Sequence, residues 1–112
     1  MMYEPRFERF ELRGQDGRES MAEFLRAGTL TAGDRPELYF FRMAGEELAV
    51  GISGSALERF QRGRRLSREE KIDIAGLMLR RQFESGVDLD SQNLFIRDEV
   101  LADLAEELGI LS

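Results

Sequence analysis

The sequence predicts one α+β domain over residues 1–112, a small antiparallel or mixed sheet built on a β-hairpin at 38–53 and packed against about four helices. Three observations predict it. Apolar and aromatic residues cluster with strand character through 38–43 and 48–53. The helix-start signature Ser-x-x-Glu recurs at Ser20–Glu23, Ser55–Glu58 and Ser67–Glu70. Glycines fall where those elements should stop. With 112 residues and 42% apolar content, one compact core is the default.

Element by element, the run 6–13 places Phe10 and Leu12 on one face of a short strand, and Gly14-Gln15-Asp16-Gly17 is a turn. A short helix is expected over 20–27, burying Met21, Phe24 and Leu25, with Gly28 as its stop. The stretch 29–36 reads as loop. In the hairpin, Gly45-Glu46 suits a type II′ turn, which pairs Met43 with Leu48, Phe41 with Val50 and Tyr39 with Ile52 on one face. The other face carries Leu38, Phe40 and Arg42 against the small Ala49 and Gly51.

The second capping signature opens a helix at 56–62 and the third opens the longest helix, 68–85, closed by Gly86. At 100° per residue Ile72, Ala75, Gly76, Leu79 and Phe83 form its buried stripe; Asp73, Arg80, Arg81 and Glu84 take the far side, and Leu77 falls among the charges. Gly76 costs about 1 kcal/mol against Ala in mid-helix, which signals a close backbone approach there. The run 93–97 reads as a third, hairpin-type strand. Asp98 is then expected to cap a terminal helix to about 108, with Val100, Leu101, Leu104, Ala105 and Leu108 inward.

Composition excludes more than it assigns. The chain has no His, Cys or Trp, which removes Ser-His-Asp and Cys-His catalysis, thiolate metal sites and disulfides. The net charge of −6 disfavours generic binding to nucleic acid or anionic membranes. No apolar run approaches the ~20 residues of a membrane span. The first residues carry no export signal, so a cytoplasmic location is expected. Gly51-Ile52-Ser53-Gly54-Ser55 has the strand-to-helix setting of a nucleophile elbow but lacks its last glycine, and no histidine exists to activate Ser53.

Two motifs suggest ligands. The run 88–99 resembles a degenerate EF-hand loop: Asp88, Asp90, Gln92 and the distal Glu99 stand at oxygen-ligand positions suited to calcium, while Asn93 replaces the sharp-turn glycine. The Arg62, Arg64, Arg65 and Arg68 cluster, with Phe60 nearby, is the only stretch suited to nucleic acid, and Glu58, Glu69 and Glu70 interrupt it.

The stretch 38–100 also resembles a small bacterial family of uncharacterised domains. The residues that carry this are Ile52-Ser53-Gly54-Ser55-Ala56-Leu57, Ile72 to Leu79, Gly86 and Leu94-Phe95-Ile96. The resemblance implies a hairpin-helix-helix-strand order, and neither an activity nor catalytic residues.

The resulting expectation is a non-enzymatic protein-interaction or regulatory module, with a protein partner or a second copy of itself. Its candidate contact residues are Leu38, Phe40, Leu77, Ile110 and Leu111, apolar groups left over once the core is assigned. Calcium binding at 88–99 and nucleic-acid binding at 62–68 are the alternatives.

Overall fold

The computed structural model describes residues 5–110 and is an α+β fold with a mixed five-stranded sheet. The elements run β1 (Arg9–Arg13), β2 (Glu19–Thr29), β3 (Glu37–Met43), β4 (Glu46–Ile52), α1 (Gly54–Gln61), α2 (Arg68–Glu84), β5 (Phe95–Ile96) and α3 (Asp98–Glu107). Strand order follows the chain, β1-β2-β3-β4-β5. The first four strands are antiparallel neighbours, and β5 lies parallel to β4.

Three helices, not about four, lie among the described residues, because 20–27 is strand. Its helical stripe dissolves: Met21 is 45% exposed, while Ala22 and Phe24, two apart, turn toward the core. An isolated eight-residue helix is marginal. Here β1 over Glu19 to Glu23 and β3 from Ala22 onward offer this segment backbone partners, and the pairing overrides the local signature.

The β3–β4 turn is also corrected. Its central residues are Ala44 and Gly45, both with positive φ (52° and 80°), which makes a type I′ turn. Phe41 therefore faces Leu48, Tyr39 faces Val50 and Glu37 faces Ile52. The register differs from the expected one by two residues, and an even shift leaves every side chain on its expected face.

Two of the three described helices start at a serine hydroxyl, one of them displaced from the expected position. α1 is capped by Ser53, not Ser55: Ser53 Oγ accepts the Ala56 N–H at 3.2 Å. α2 has a complete capping box between Ser67 and Glu70. α3 begins after Arg97 without a side-chain cap; Asp98 is its first residue and pairs instead with Arg59, Nε to Oδ1 at 2.8 Å.

The unbroken buried run Ile72–Leu79 shows that α2 is covered on every side there. It contacts β1, β4 and α3, and the chain ahead of β1 closes the remaining face. This overturns two expectations. Leu77 is 2% exposed, and Asp73 is fully buried with Oδ1 accepting the Phe7 N–H at 2.9 Å. In α3 the inward set is Leu101, Leu104 and Ala105, while Val100 faces out. The strand expected at 93–97 is the two-residue β5, which pairs in parallel and so is not of hairpin type. Among the described residues no helix is long and apolar enough to cross a membrane.

Candidate functional site

Alternation in β3 separates two faces. Tyr39 and Phe41 enter the core; Leu38 and Phe40 stand on the opposite, outer face and are half-buried. There Phe40 lies across from Ala49 and beside Arg26, and Leu38 lies across from Gly51 and beside Gly28. Gly51 faces Phe95.

The two glycines are where the aromatic rings rest. A Cβ on Gly51 would come within 2.9 Å of the Phe95 ring and 3.5 Å of Leu38, so the ring occupies the space a side chain would need. Gly28 has ordinary clearance, 3.8 Å, to Phe40. The Arg26 guanidinium sits 4.3 Å from the Phe40 ring centre, and two hydrogen bonds to Glu47 (3.2 and 2.9 Å) hold it there. Those bonds lower the Glu47 pKa below the ordinary carboxylate range. Arg97 lies 5.0 Å from the Phe95 ring centre. The outcome is a strip of Leu38, Phe40 and Phe95 over small residues, bordered by two arginines.

The remaining contact candidates do not join this strip. Leu77 is inside, against the expectation that it is exposed. Ile110 is buried as well, because α3 ends in a Schellman motif: Gly109 has φ 75°, its N–H donates to Glu106, and the Ile110 N–H donates to Ala105, which folds Ile110 back onto the core. Leu111 lies outside the described residues.

The acidic run 88–99 is organised by its own hydrogen bonds. Asp90 Oδ1 accepts the Asn93 N–H at 2.8 Å, and Asn93 Nδ2 donates to the Asp88 carbonyl at 2.8 Å. Glu99 is exposed on α3, and Gln92 is exposed in the connection. Among the described residues no three His, Cys, Asp or Glu side chains gather in a group that could hold a metal, so Asp88, Asp90 and Glu99 are not assembled as a ligand set.

The arginine cluster is dispersed. Arg64 pairs with Glu70 through two bonds (3.1 and 2.8 Å), Arg62 lies 3.6 Å from Glu58, and Arg68 lies over Phe24.

Two polar constellations escape sequence reading. Asp34, in the β2–β3 loop, accepts the Ser53 hydroxyl at 2.6 Å and the N–H groups of Gly54 (2.9 Å) and Ser55 (3.1 Å). Hydrogen bonds from Ser53 and Ser55 bring its pKa down to about 2, which makes it a poor base for Ser53. Nearby, Lys71 Nζ contacts both Glu37 oxygens (3.2 and 3.3 Å), and the Tyr39 hydroxyl donates to the same carboxylate at 2.7 Å. These groups border a 440 Å³ groove lined by Glu37, Gln61, Arg65, Leu66 and Lys71. The only advance signal was that Lys71 is the sole lysine; its partner lies 34 positions away.

Compared with known proteins, the chain matches no family model, no curated protein and no solved structure.

Proposed function

We propose that the chain is a non-enzymatic protein-interaction module and that the outer face of its sheet is the contact surface. The observation that carries this is the side-by-side placement of Leu38, Phe40 and Phe95 over Gly28, Ala49 and Gly51, on a face where Met21, Glu23, Arg42 and Glu47 are exposed. Aromatic anchors ringed by arginine resemble the centres of protein interfaces more than solvated sheet surface. The chemistry of the polar groups supports the same reading. Ser53 has only a weakly basic carboxylate beside it, and its oxygen's contacts with Asp34, Ser55 and the Ala56 N–H all lie at the start of α1.

Phe40→Asp is the test. It should lower self-association or capture of a protein partner at least about tenfold, since burying an unpaired carboxylate in a contact costs several times what a lost methylene does. Its melting temperature should stay near that of wild type, because Phe40 is outside the core. Wild-type binding that Phe40→Asp leaves intact would overturn the assignment of the face, and a chain that is strictly monomeric and captures no partner would overturn the module itself.

A further inference from the structure

β2 is longer than the strand beside it. β1 pairs with it only over Glu19 to Glu23, and the last bond on that side runs from the Phe24 N–H to the Glu8 carbonyl at 2.7 Å. There the chain leaves the sheet. Phe7 is drawn to α2 by Asp73 and Gly76, and Arg6 reaches the Leu108 carbonyl at 2.9 Å. From Arg26 to Thr29, β2 keeps β3 on one side and has no strand on the other among the described residues.

The direction of the free backbone groups follows from the ladder. The Leu30 N–H donates to Pro36, on the β3 side, at 3.0 Å. Backbone groups alternate sides along a strand, so Gly28 and Arg26 also bond toward β3, and Ala27 and Thr29 present N–H and C=O outward. This is an open strand edge; the irregularity between Phe24 and Arg26 lies at its start, and from Ala27 to Thr29 it carries neither charge nor proline. The edge of β1 carries exposed Arg9, Glu11 and Arg13. The open part of β2 carries one charge, Arg26, already tied to Glu47.

We propose that two copies of the chain join at this edge, β2 against β2 in antiparallel sense about Gly28, to make one continuous sheet. This rests on the interaction-module reading and names the partner as a second copy. The register follows from the outward groups: Ala27 and Thr29 of one copy exchange hydrogen bonds with Thr29 and Ala27 of the other. Gly28 then faces Gly28 across the two-fold axis. Arg26 falls opposite the 51% exposed Leu30, so no like charges meet and the Leu30 side chain gains an aliphatic cover. Leu38 and Phe40 stand next to Gly28 and Arg26, so the apolar strips of the two copies approach one another across the small central residues.

The experiment uses the absence of cysteine. Gly28→Cys supplies one thiol per copy, and its Cβ meets Phe40 at an ordinary 3.8 Å, so the fold tolerates it. Facing non-hydrogen-bonded residues sit about 4.5 Å apart at Cα, within disulfide range. Under mild oxidation Gly28→Cys should give a covalent dimer about tenfold or more faster than Met21→Cys, which is exposed on the part of β2 covered by β1. Sedimentation should show a wild-type dimer, and Ala27→Pro, which removes an outward N–H and no β2–β3 bond, should be a monomer with an unchanged circular dichroism spectrum. A monomeric wild type, or Gly28→Cys crosslinking no faster than Met21→Cys, overturns the edge dimer. Partner capture that Phe40→Asp abolishes while Gly28→Cys fails to crosslink would leave the module standing and remove only this inference.

Discussion

Phe7 and Gly76 occupy each other's space. A Cβ on Gly76 would lie 2.3 Å from the Phe7 Cβ and 2.8 Å from its Cγ, far inside any van der Waals contact. The clash involves the root of the Phe7 side chain, which cannot swing away while Asp73 holds its N–H. A contact this short belongs at the upper end of the overpacking range of about 1–3 kcal/mol, and the helix-propensity gain of about 1 kcal/mol offsets part of it, so Gly76→Ala should destabilise the protein by up to about 2 kcal/mol. Denaturant melts check the sign. In a Phe7→Gly background, which removes the Phe7 Cβ as well as the ring, the same substitution should become stabilising, and an equal cost in both backgrounds would show that the Phe7 side chain is not the obstacle.

Ala44 takes the opposite kind of strain. Its φ of 52° is a left-handed conformation, which costs an L-residue of this type about 1–2 kcal/mol, and Gly45 beside it is the natural occupant of the second turn position. Ala44→Asn should raise stability by about 0.5–1 kcal/mol, because Asn tolerates this region. The side chain is exposed, so no packing change opposes the gain. Thermal melts that show no increase would mean the turn relaxes out of the type I′ conformation.

These two sites mark how far a sequence can be read. The glycine at 76 was legible because a helix that keeps a glycine at its centre needs a reason, although nothing in the chain named Phe7, 69 positions earlier in numbering terms, as that reason. The outer-face pair Leu38 and Phe40 was legible from period-two alternation alone, and survived a two-residue error in register. Glu19–Thr29 was not legible as strand: its periodicity is broken by the irregularity between Phe24 and Arg26, so neither period runs cleanly through it. Phe95, Arg26 and Gly28 were missed for the same reason, since strand neighbours across β2, β3 and β5 are set by topology and not by spacing.

Tyr39 joins core and surface. Its ring is buried, and its hydroxyl donates to Glu37, which Lys71 also holds. Burial first, then the bond to Glu37, raise its pKa above the ordinary tyrosine value. The sign follows: a folded pKa above the unfolded one contributes stability that is complete below about pH 10 and lost as pH rises beyond it. Tyr39→Phe keeps the ring and removes that titration. It should cost about 0.5–1.5 kcal/mol near neutral pH and lessen the alkaline decline in stability. Denaturant melts at neutral and alkaline pH check both, and a decline equal to wild type would assign the alkaline limb elsewhere.

Asp34 should control the acid limb in the same way with the opposite sign. Its carboxylate gathers the Ser53 hydroxyl and the first N–H groups of α1, and these bonds hold its pKa at about 2 against an ordinary 3.8. A folded pKa below the unfolded one contributes stability that is present above about pH 4 and disappears as pH falls toward 2. Asp34→Asn retains one acceptor but no charge, so it should lower stability at neutral pH and flatten the loss between pH 4 and 2 relative to wild type. The backbone adds a second control. Gly54 has the carbonyl oxygens of Asp34 and Arg35 only 2.1 and 2.6 Å from where a Cβ would stand, so Gly54→Ala must push the loop off α1. Gly54→Ala should then flatten the same acid limb without touching the carboxylate. If Asp34→Asn and Gly54→Ala leave the acid limb as steep as wild type, other carboxylates account for it, with the pairs Arg64–Glu70 and Arg59–Asp98 next to be substituted.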